Sequence, residues 1–188
     1  MMTAISVTIK QYFIRKGDEK TNKILLYVPY NLREKPKDKL NFDFINSIAV
    51  FPVSLDLVNE FKTGVKKISE DLRPLRTTFV TYAMFYIVRL SQYFPFAVSN
   101  GIFLHYGNRT SLLTTNVKGP SEPYHIAGAE SLKCTTFMPN LADIPGGFAI
   151  VSHRDVIWIS FNADRYRCDE AKDIIKIFED TMDSMLKD

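Results

Sequence analysis

The sequence predicts an α/β domain in which a single mixed β-sheet is covered by helices. Short apolar runs typical of strands alternate with helical stripes in the first half of the chain, the second half is rich in strand-like segments, and an amphipathic helix ends it. No internal repeat, low-complexity tract or Gly/Ser-rich linker divides the 188 residues. We therefore expect one domain spanning 1–188.

The first half of the chain predicts helix, strand, strand, helix. Ile5, Ile9, Tyr12 and Phe13 have helical spacing and precede a capping Gly17, although the alternation over 5–9 also permits a strand. Residues 24–30 predict a buried strand closed by a proline and followed by a polar loop at 31–39, and 42–51 predict a second strand. Ser54 is the expected N-cap of a helix that ends before Pro74. One face of this helix would be apolar, with Leu55, Val58, Phe61, Val65, Ile68 and Leu72.

The second half predicts an aromatic helix at 77–93, broken by Pro95, and then mostly sheet. Strands are expected at 111–117, 130–137, 147–152 and 156–161, with the last two joined as a hairpin by His153-Arg154-Asp155. Asp169 is the expected cap of a final helix with the apolar stripe Ala171, Ile174, Ile175, Phe178, Met182, Met185 and Leu186.

The composition limits the cellular compartments and the classes of partner that we expect. With 46% hydrophobic residues the chain can form a substantial core, and a net charge of +3 is too small to favour nucleic acid as a partner. Two isolated cysteines predict no disulfide framework and indicate a reducing compartment. The N-terminus lacks a signal-peptide pattern. We therefore expect an intracellular protein on the cytoplasmic side, in a reducing compartment.

The longest apolar stretch, 79–98, is interrupted by Arg89, Gln92 and Pro95. These interruptions predict a buried or interfacial helix rather than a membrane span. Eight basic against four acidic residues at 15–39 leave contact with anionic lipid or phosphate open, although a solvated surface is the commoner meaning of such a pattern. Peripheral membrane contact is therefore one option for this chain.

The segment Asn116-Val117-Lys118-Gly119-Pro120, followed by an apolar stretch that ends at Gly128, is the most informative motif. It resembles a signature in the C-terminal half of the wax ester synthase/diacylglycerol acyltransferase family. Further segments resemble this family in the same order along the chain, at 12–17, 28–33, Asn46, Phe51-Pro52, 148–153 and 159–164. At the 153–155 turn the chain departs from the family's more usual Tyr and Gly, which leaves substrate preference open.

The resemblance implies one half of the two-lobed CoA-dependent acyltransferase fold, which is chloramphenicol acetyltransferase-like. Enzymes of this family transfer a fatty acyl group from acyl-CoA, as a substrate rather than a cofactor, to diacylglycerol or a long-chain alcohol. The resemblance also implies a partner, the N-terminal catalytic half, whose His-His-x-x-x-Asp-Gly motif supplies the general base. This motif does not occur in the 188 residues. We therefore assign no catalytic residue and expect the chain alone to be inactive, unless it is a non-catalytic lipid- or protein-binding domain derived from the same scaffold.

The resemblance places Asn116, Gly119 and Pro120 at a wall of the substrate tunnel or in a structural strand end. The amide could orient substrate or bond main-chain groups, and Gly119-Pro120 favours a backbone role because Gly permits close approach and Pro fixes the exit. Arg33 is a candidate contact for a CoA phosphate, with Lys35, Lys37 and Lys39 adding charge, although an ion pair with a carboxylate is the commoner role.

Other chemical candidates are weaker. His125 is more typical of a structural histidine than of an acid or base, and Ser152, His153 and Asp155 are too close in sequence to form a catalytic triad. Asp164 and Asp169 lack the spacing of a calcium loop, and we predict no metal site. The aromatic cluster Tyr82, Phe85, Tyr86, Tyr93, Phe94 and Phe96 favours core packing, with a lipid channel or membrane contact as the alternative.

Overall fold

A computed structural model describes residues 1–33, 47–73, 80–139 and 143–187. These residues form α1 Met2–Arg15, β1 Lys23–Asn31, β2 Ile48–Asp56, α2 Phe61–Leu72, α3 Val80–Ser91, α4 Phe96–Gly107, β3 Leu112–Lys118, β4 His125–Ile126, β5 Ala129–Glu130, β6 Gly146–His153, β7 Val156–Ala163 and α5 Ala171–Lys187. Predictions that fall on 34–46, 74–79 or 140–142 lie outside the described residues. They include Asn46, the start of the strand predicted at 42–51, and the three lysines after Arg33.

The described strands form a five-stranded sheet in the order β2-β1-β3-β6-β7, with β4 and β5 paired separately. The outer pairs β1–β2 and β6–β7 are antiparallel, whereas β3 is parallel to both of its neighbours. Helices α1, α2 and α5 pack together beside the sheet. The predicted fold class, a mixed sheet covered by helices, is confirmed.

Helix α1 is central to the core. Its residues from Thr3 to Lys10 are all buried, and Ile5 has no exposed surface. At its end the main-chain N–H of Gly17 donates to Ile14 O at 2.9 Å and that of the next residue donates to Phe13 O at 2.8 Å. Together with a φ of +82° at Gly17, these bonds form the glycine-dependent helix end expected from the sequence.

The buried ammonium of Lys10 is satisfied by main chain and amide oxygens. Its Nζ donates to Glu19 O, Thr21 O and Asn22 Oδ1, each at 2.9 Å. Three acceptors match the three N–H donors of the ammonium group, so its burial in the core leaves no donor without a partner. The loop between α1 and β1 is thereby attached to the helix.

The predicted helix starting at Ser54 is wrong in its first turn and a half. Ser54 lies inside β2, paired with Leu25, and α2 begins only at Phe61. The helical spacing that includes Leu55 coincided with a period-2 pattern, in which the buried residues of β2 are Ala49, Phe51, Val53 and Leu55. Nine consecutive residue pairs with β1 stabilise this strand, which lies at the sheet edge and therefore tolerates its proline.

Two further predictions differ from the structure. Of the strand predicted at 130–137, only Glu130 is in a ladder, as the last residue of β5. Residues 132–139 run beside β7 as irregular chain, where Ser160 Oγ donates to Thr136 O and Asn162 Nδ2 donates to Met138 O at 2.6 Å. Side chains thus replace the main-chain ladder. Helix α4 was not predicted, because its apolar residues and its polar Ser99, Asn100 and His105 are spread around the helix and give no helical periodicity.

The strand predicted at 24–30 is confirmed, but it does not close at Pro29, which lies within β1 opposite Val50. The pairing of β1 with β3 covers only Leu26 and Tyr27, so Pro29 lies where β1 has left β3 and no second ladder needs its N–H. By contrast, β3 stays paired with β6 as far as Lys118. The sheet therefore splits between β1 and β3 toward their carboxyl ends.

Candidate functional site

The split between β1 and β3 opens onto a cavity of about 280 Å³, which is near the lower end of ligand-pocket volumes. Its walls come from the start of α1, the end of α2 and four strands of the sheet. None of the described residues that line it carries a charged side chain. The lining residues are Met1, Met2, Val28, Tyr30, Phe51, Val53, Leu72, Thr114, Asn116 and Ile150.

Strand alternation explains why these residues share one side of the sheet. Val28 and Tyr30 are two apart on β1, and Thr114 and Asn116 are two apart on β3, so each pair points to the same face. Asn116 is also opposite Ile150 in the ladder. In open α/β sheets ligands commonly bind outside the carboxyl ends of parallel strands, and this cavity has that position.

Three polar groups lie among the apolar side chains of the cavity. Thr114 is buried, whereas Asn116 is exposed and Tyr30 is 39% exposed with its ring edge-on to Phe51 at 6.2 Å. In the described part of the chain the Asn116 side chain makes no hydrogen bond. A neutral amide at the open end of an apolar cavity can donate to or accept from a polar group of a ligand.

Gly119 lies away from the cavity, where the chain leaves β3 and crosses the main chain of β6. A Cβ at this position would be 2.2 Å from the carbonyl oxygen of Ser152 and 3.1 Å from Val151 Cγ2. The contact distance, rather than a positive φ, requires glycine here. The Pro120 carbonyl then accepts from the Arg154 N–H at 3.1 Å, which fastens the end of the motif to the β6–β7 turn.

His153 connects the motif to the following loop. The residue is 2% exposed; its Nδ1 is 3.1 Å from Pro120 O, and its Nε2 is 3.2 Å from Ser131 Oγ. Because the Pro120 carbonyl can only accept, Nδ1 is assigned the proton, and Nε2 then accepts from the Ser131 hydroxyl. That hydroxyl in turn accepts from the Tyr124 N–H at 3.2 Å.

Sequence reasoning did not find this network. It considered His153 only with its neighbours Ser152 and Asp155, whereas the actual partners lie 33 and 22 residues away along the chain. No local pattern signals such partners. The predicted hairpin at this point is confirmed, with Arg154 at a φ of +54° in the turn and its guanidinium paired with Glu130.

Arg33 is exposed just beyond β1, and its main-chain N–H donates to Asn31 Oδ1 at 3.0 Å. His125 is exposed on β4. Asp164 Oδ1 accepts from the Tyr166 N–H at 2.9 Å, in the turn after β7. Since α5 begins at Ala171, the residue before its first turn is Glu170 rather than the predicted cap Asp169.

The predicted core packing of the aromatic cluster is wrong for most of its described side chains. Phe85 is half-buried against the core, but the remaining described rings, of Tyr86, Tyr93, Phe94 and Phe96, are exposed. The side chain of Tyr82 lies outside the described set. Among the helices that the structure describes, none is both long and apolar enough to cross a bilayer. Likewise, the described His, Cys, Asp and Glu side chains form no group of three or more suited to a metal ion.

Comparison with protein families gives a match between residues 46–186 and the WS/DGAT C-terminal domain. Comparison with curated protein sequences gives no match. Among solved structures, the chain is similar to the wax ester synthase/diacylglycerol acyltransferase from Marinobacter aquaeolei VT8, with a TM-score of 0.62 and 15% identity over 96% of this chain and 40% of that one.

The chain is also similar to two domains of peptide synthetases. For the starter condensation domain of rhizomide synthetase RzmA the TM-score is 0.56 at 10% identity, over 100% of this chain and 41% of that one. For the epimerization domain of tyrocidine synthetase B the TM-score is 0.53 at 15% identity, over 95% and 38%. At these identities the likeness shows the fold, which is CoA-acyltransferase-like. The chain spans about two fifths of the length of each solved protein.

Proposed function

Because the chain belongs to the WS/DGAT C-terminal domain family, we propose that it is the C-terminal half of an O-acyltransferase. The complete enzyme would transfer a fatty acyl group from acyl-CoA to diacylglycerol or a long-chain alcohol. This half contributes a wall of the substrate tunnel, and an N-terminal partner half contributes the general base. We place this reaction on the cytoplasmic side of a lipid-synthesising membrane.

The observation that carries the proposal is the largely apolar cavity at the split between β1 and β3, whose described lining has no charged side chain. Its largely apolar walls suit an acyl chain, because burying hydrocarbon away from water is favourable. The free amide of Asn116 at its open end suits the carbonyl or hydroxyl oxygen of a reacting lipid. Gly119, Pro120 and His153 maintain the strand end from which Asn116 projects.

The positions of the three histidines support a base supplied from elsewhere. None lines the cavity in the described structure: His105 is exposed on α4, His125 is exposed on β4, and both ring nitrogens of His153 are occupied by structural contacts. General acid–base catalysis contributes about 100- to 10,000-fold, so we expect no measurable turnover by this chain alone. Arg33, exposed beyond the strand that presents Tyr30, is the proposed contact for a CoA phosphate.

Reconstitution tests the proposal. The 188-residue chain is mixed with a purified half that contains the His-His-x-x-x-Asp-Gly motif, and transfer from labelled acyl-CoA to diacylglycerol or a long-chain alcohol is measured. We expect transfer only from the mixture, with Asn116→Ala reducing it about tenfold, as loss of a hydrogen bond worth about 1–1.5 kcal/mol would do. Val117→Ala, on the opposite side of β3, is the matched control and should transfer at the wild-type rate. Turnover by the chain alone would contradict the assignment of the base to the other half.

A non-catalytic lipid- or protein-binding domain on the same scaffold is the second candidate. It is favoured by the lining itself, since no His, Asp, Glu, Lys or Arg side chain borders the cavity in the described part of the chain. Such a domain would bind a fluorescent fatty acid without any partner half. Mixing with the catalytic half would then produce no transfer.

A further inference from the structure

Residues 86–106, from the second half of α3 through the turn into α4, form an exposed apolar surface that we call the apolar helix pair. Among the described residues, half of the exposed large apolar side chains lie between Tyr86 and Tyr106. Helix α4 is exposed around its whole circumference and contains no Asp, Glu, Lys or Arg. A helix that is apolar on all sides is typical of a buried or membrane-associated environment.

The turn between the two helices presents aromatic rings on an ordered backbone. Tyr93, Phe94 and Phe96 are 77%, 54% and 82% exposed. The Phe94 N–H donates to Ser91 O at 3.2 Å, and Ser99 Oγ donates to the same oxygen at 2.7 Å, which connects the first turn of α4 to the end of α3. These two bonds stabilise the turn that carries the three exposed rings.

The charged residues in the sequence around the apolar helix pair are all basic. No acidic residue occurs between Asp71 and Glu122, although the chain contains 21 Asp and Glu. Within this interval Arg89 lies near the end of α3 and Arg109 follows α4. Basic side chains beside exposed aromatic rings complement an anionic lipid surface, where each Lys or Arg adds attraction and Tyr and Phe occupy the headgroup boundary.

We propose that the apolar helix pair docks on an anionic phospholipid bilayer, with the aromatic turn in the headgroup and acyl boundary and Arg89 and Arg109 at the phosphates. A lipid surface fits better than a protein partner, because the exposed aromatic rings stand beside basic side chains and the sequence from 72 to 121 contains no Asp or Glu. The 12 residues of α4 extend about 18 Å, too short to span a bilayer, so the pair lies at the interface. This inference rests on residues outside the cavity and is independent of the proposed catalytic role.

Vesicle flotation tests the docking surface. The chain is mixed with vesicles of phosphatidylcholine alone or with added phosphatidylglycerol, and the bound fraction is measured at low and high salt. We expect binding to the anionic vesicles that weakens with salt. Tyr93→Asp should reduce partitioning about tenfold or more, because a ring is withdrawn from the acyl boundary, and adding Phe96→Asp should reduce it further. The control Tyr166→Asp makes the same change at a tyrosine that is 99% exposed elsewhere, and should bind as wild type does.

A fluorescence variant provides a measurement that does not depend on disruptive substitutions. The sole tryptophan, Trp158, is replaced in Trp158→Phe, and Phe96→Trp is introduced into that background. Brominated lipids should quench its emission on anionic vesicles. The proposal would be overturned if the wild-type chain did not bind vesicles, or if Tyr93→Asp left the binding unchanged. It would also be overturned if the chain formed a dimer that Tyr93→Asp dissociates, which would identify a second copy of the chain as the partner that covers this surface.

Discussion

Replacing Gly119 with alanine should destabilise the fold by an amount that the structure allows us to bound. The added Cβ would lie 2.2 Å from the carbonyl oxygen of Ser152, whereas normal carbon–oxygen contacts are about 3.3 Å or longer. About 1 Å of main-chain movement is therefore required, next to the last β3–β6 pair of Lys118 with Ser152. A backbone obstacle cannot rotate away as a side chain can, so we expect the upper part of the usual overpacking cost, about 2–3 kcal/mol.

Gly101→Ala provides a control with the same chemical change and the opposite expected sign. Gly101 lies inside α4, and a Cβ there meets no atom within 4 Å. Alanine is preferred to glycine in a helix interior by about 0.5–1 kcal/mol, so this variant should be slightly more stable than wild type. The two variants should thus differ by about 3 kcal/mol.

Urea denaturation measures both free energies of unfolding. Trp158 is a suitable probe, because it is opposite Val151 in the β6–β7 ladder and close to the expected disturbance, and circular dichroism provides a second probe of the same transition. The m-value should remain unchanged in both variants. The reasoning would be refuted by a Gly119→Ala variant within about 0.5 kcal/mol of wild type when Gly101→Ala behaves as expected.

Two further predictions concern buried and charged contacts. His153→Ala should lower the free energy of unfolding by about 2–3 kcal/mol, since two hydrogen bonds and a buried ring are lost. The control His125→Ala, at an exposed position, should change it by less than about 0.5 kcal/mol in the same urea assay. Equal effects of the two substitutions would contradict the hydrogen-bond network of His153. The hydrogen bond from Lys67, together with Lys23, lowers the pKa of Asp56 below its ordinary 3.8, so this carboxylate stabilises the fold above about pH 4 and the contribution is lost as the pH falls through the lowered pKa. Asp56→Asn should therefore cost about 1 kcal/mol at neutral pH, because both lysines are more than half exposed, and the cost should shrink as the pH falls through the lowered pKa; a cost that does not shrink in acid would show that the charge is not responsible.

Local patterns were sufficient for the elements whose chemistry is local. The α1 helix with its Gly17 end, the β6–β7 hairpin and the apolar stripe of α5 each follow from residues within a few positions of one another. The start of α2 was misplaced because Leu55 fits both a helical and a strand period. Pairing with β1, which the local sequence does not specify, decides in favour of the strand.

The cavity could be predicted only in part. The resemblance directed attention to Asn116. The split that exposes this residue depends on where the pairing of β1 with β3 ends, and no local residue pattern predicts that position. The contacts of His153 and the approach of Gly119 to β6 are likewise long-range. The exposure of the aromatic turn at Tyr93 had no local signal either, because a core stripe and a lipid-facing stripe have the same composition.

Photo-crosslinking in the reconstituted enzyme tests the central claim most directly, namely that the cavity beside Asn116 receives the acyl chain. A fatty acyl-CoA with a diazirine at the end of its acyl chain is photolysed with both halves present, and the modified residues are identified by mass spectrometry. We predict labelling of cavity residues such as Val28, Phe51 and Ile150, with competition by unlabelled acyl-CoA. A second apolar cavity of about 350 Å³ is lined by Ile9 and Ile174 among others. Labelling confined to that cavity, or to the apolar helix pair, would contradict the account.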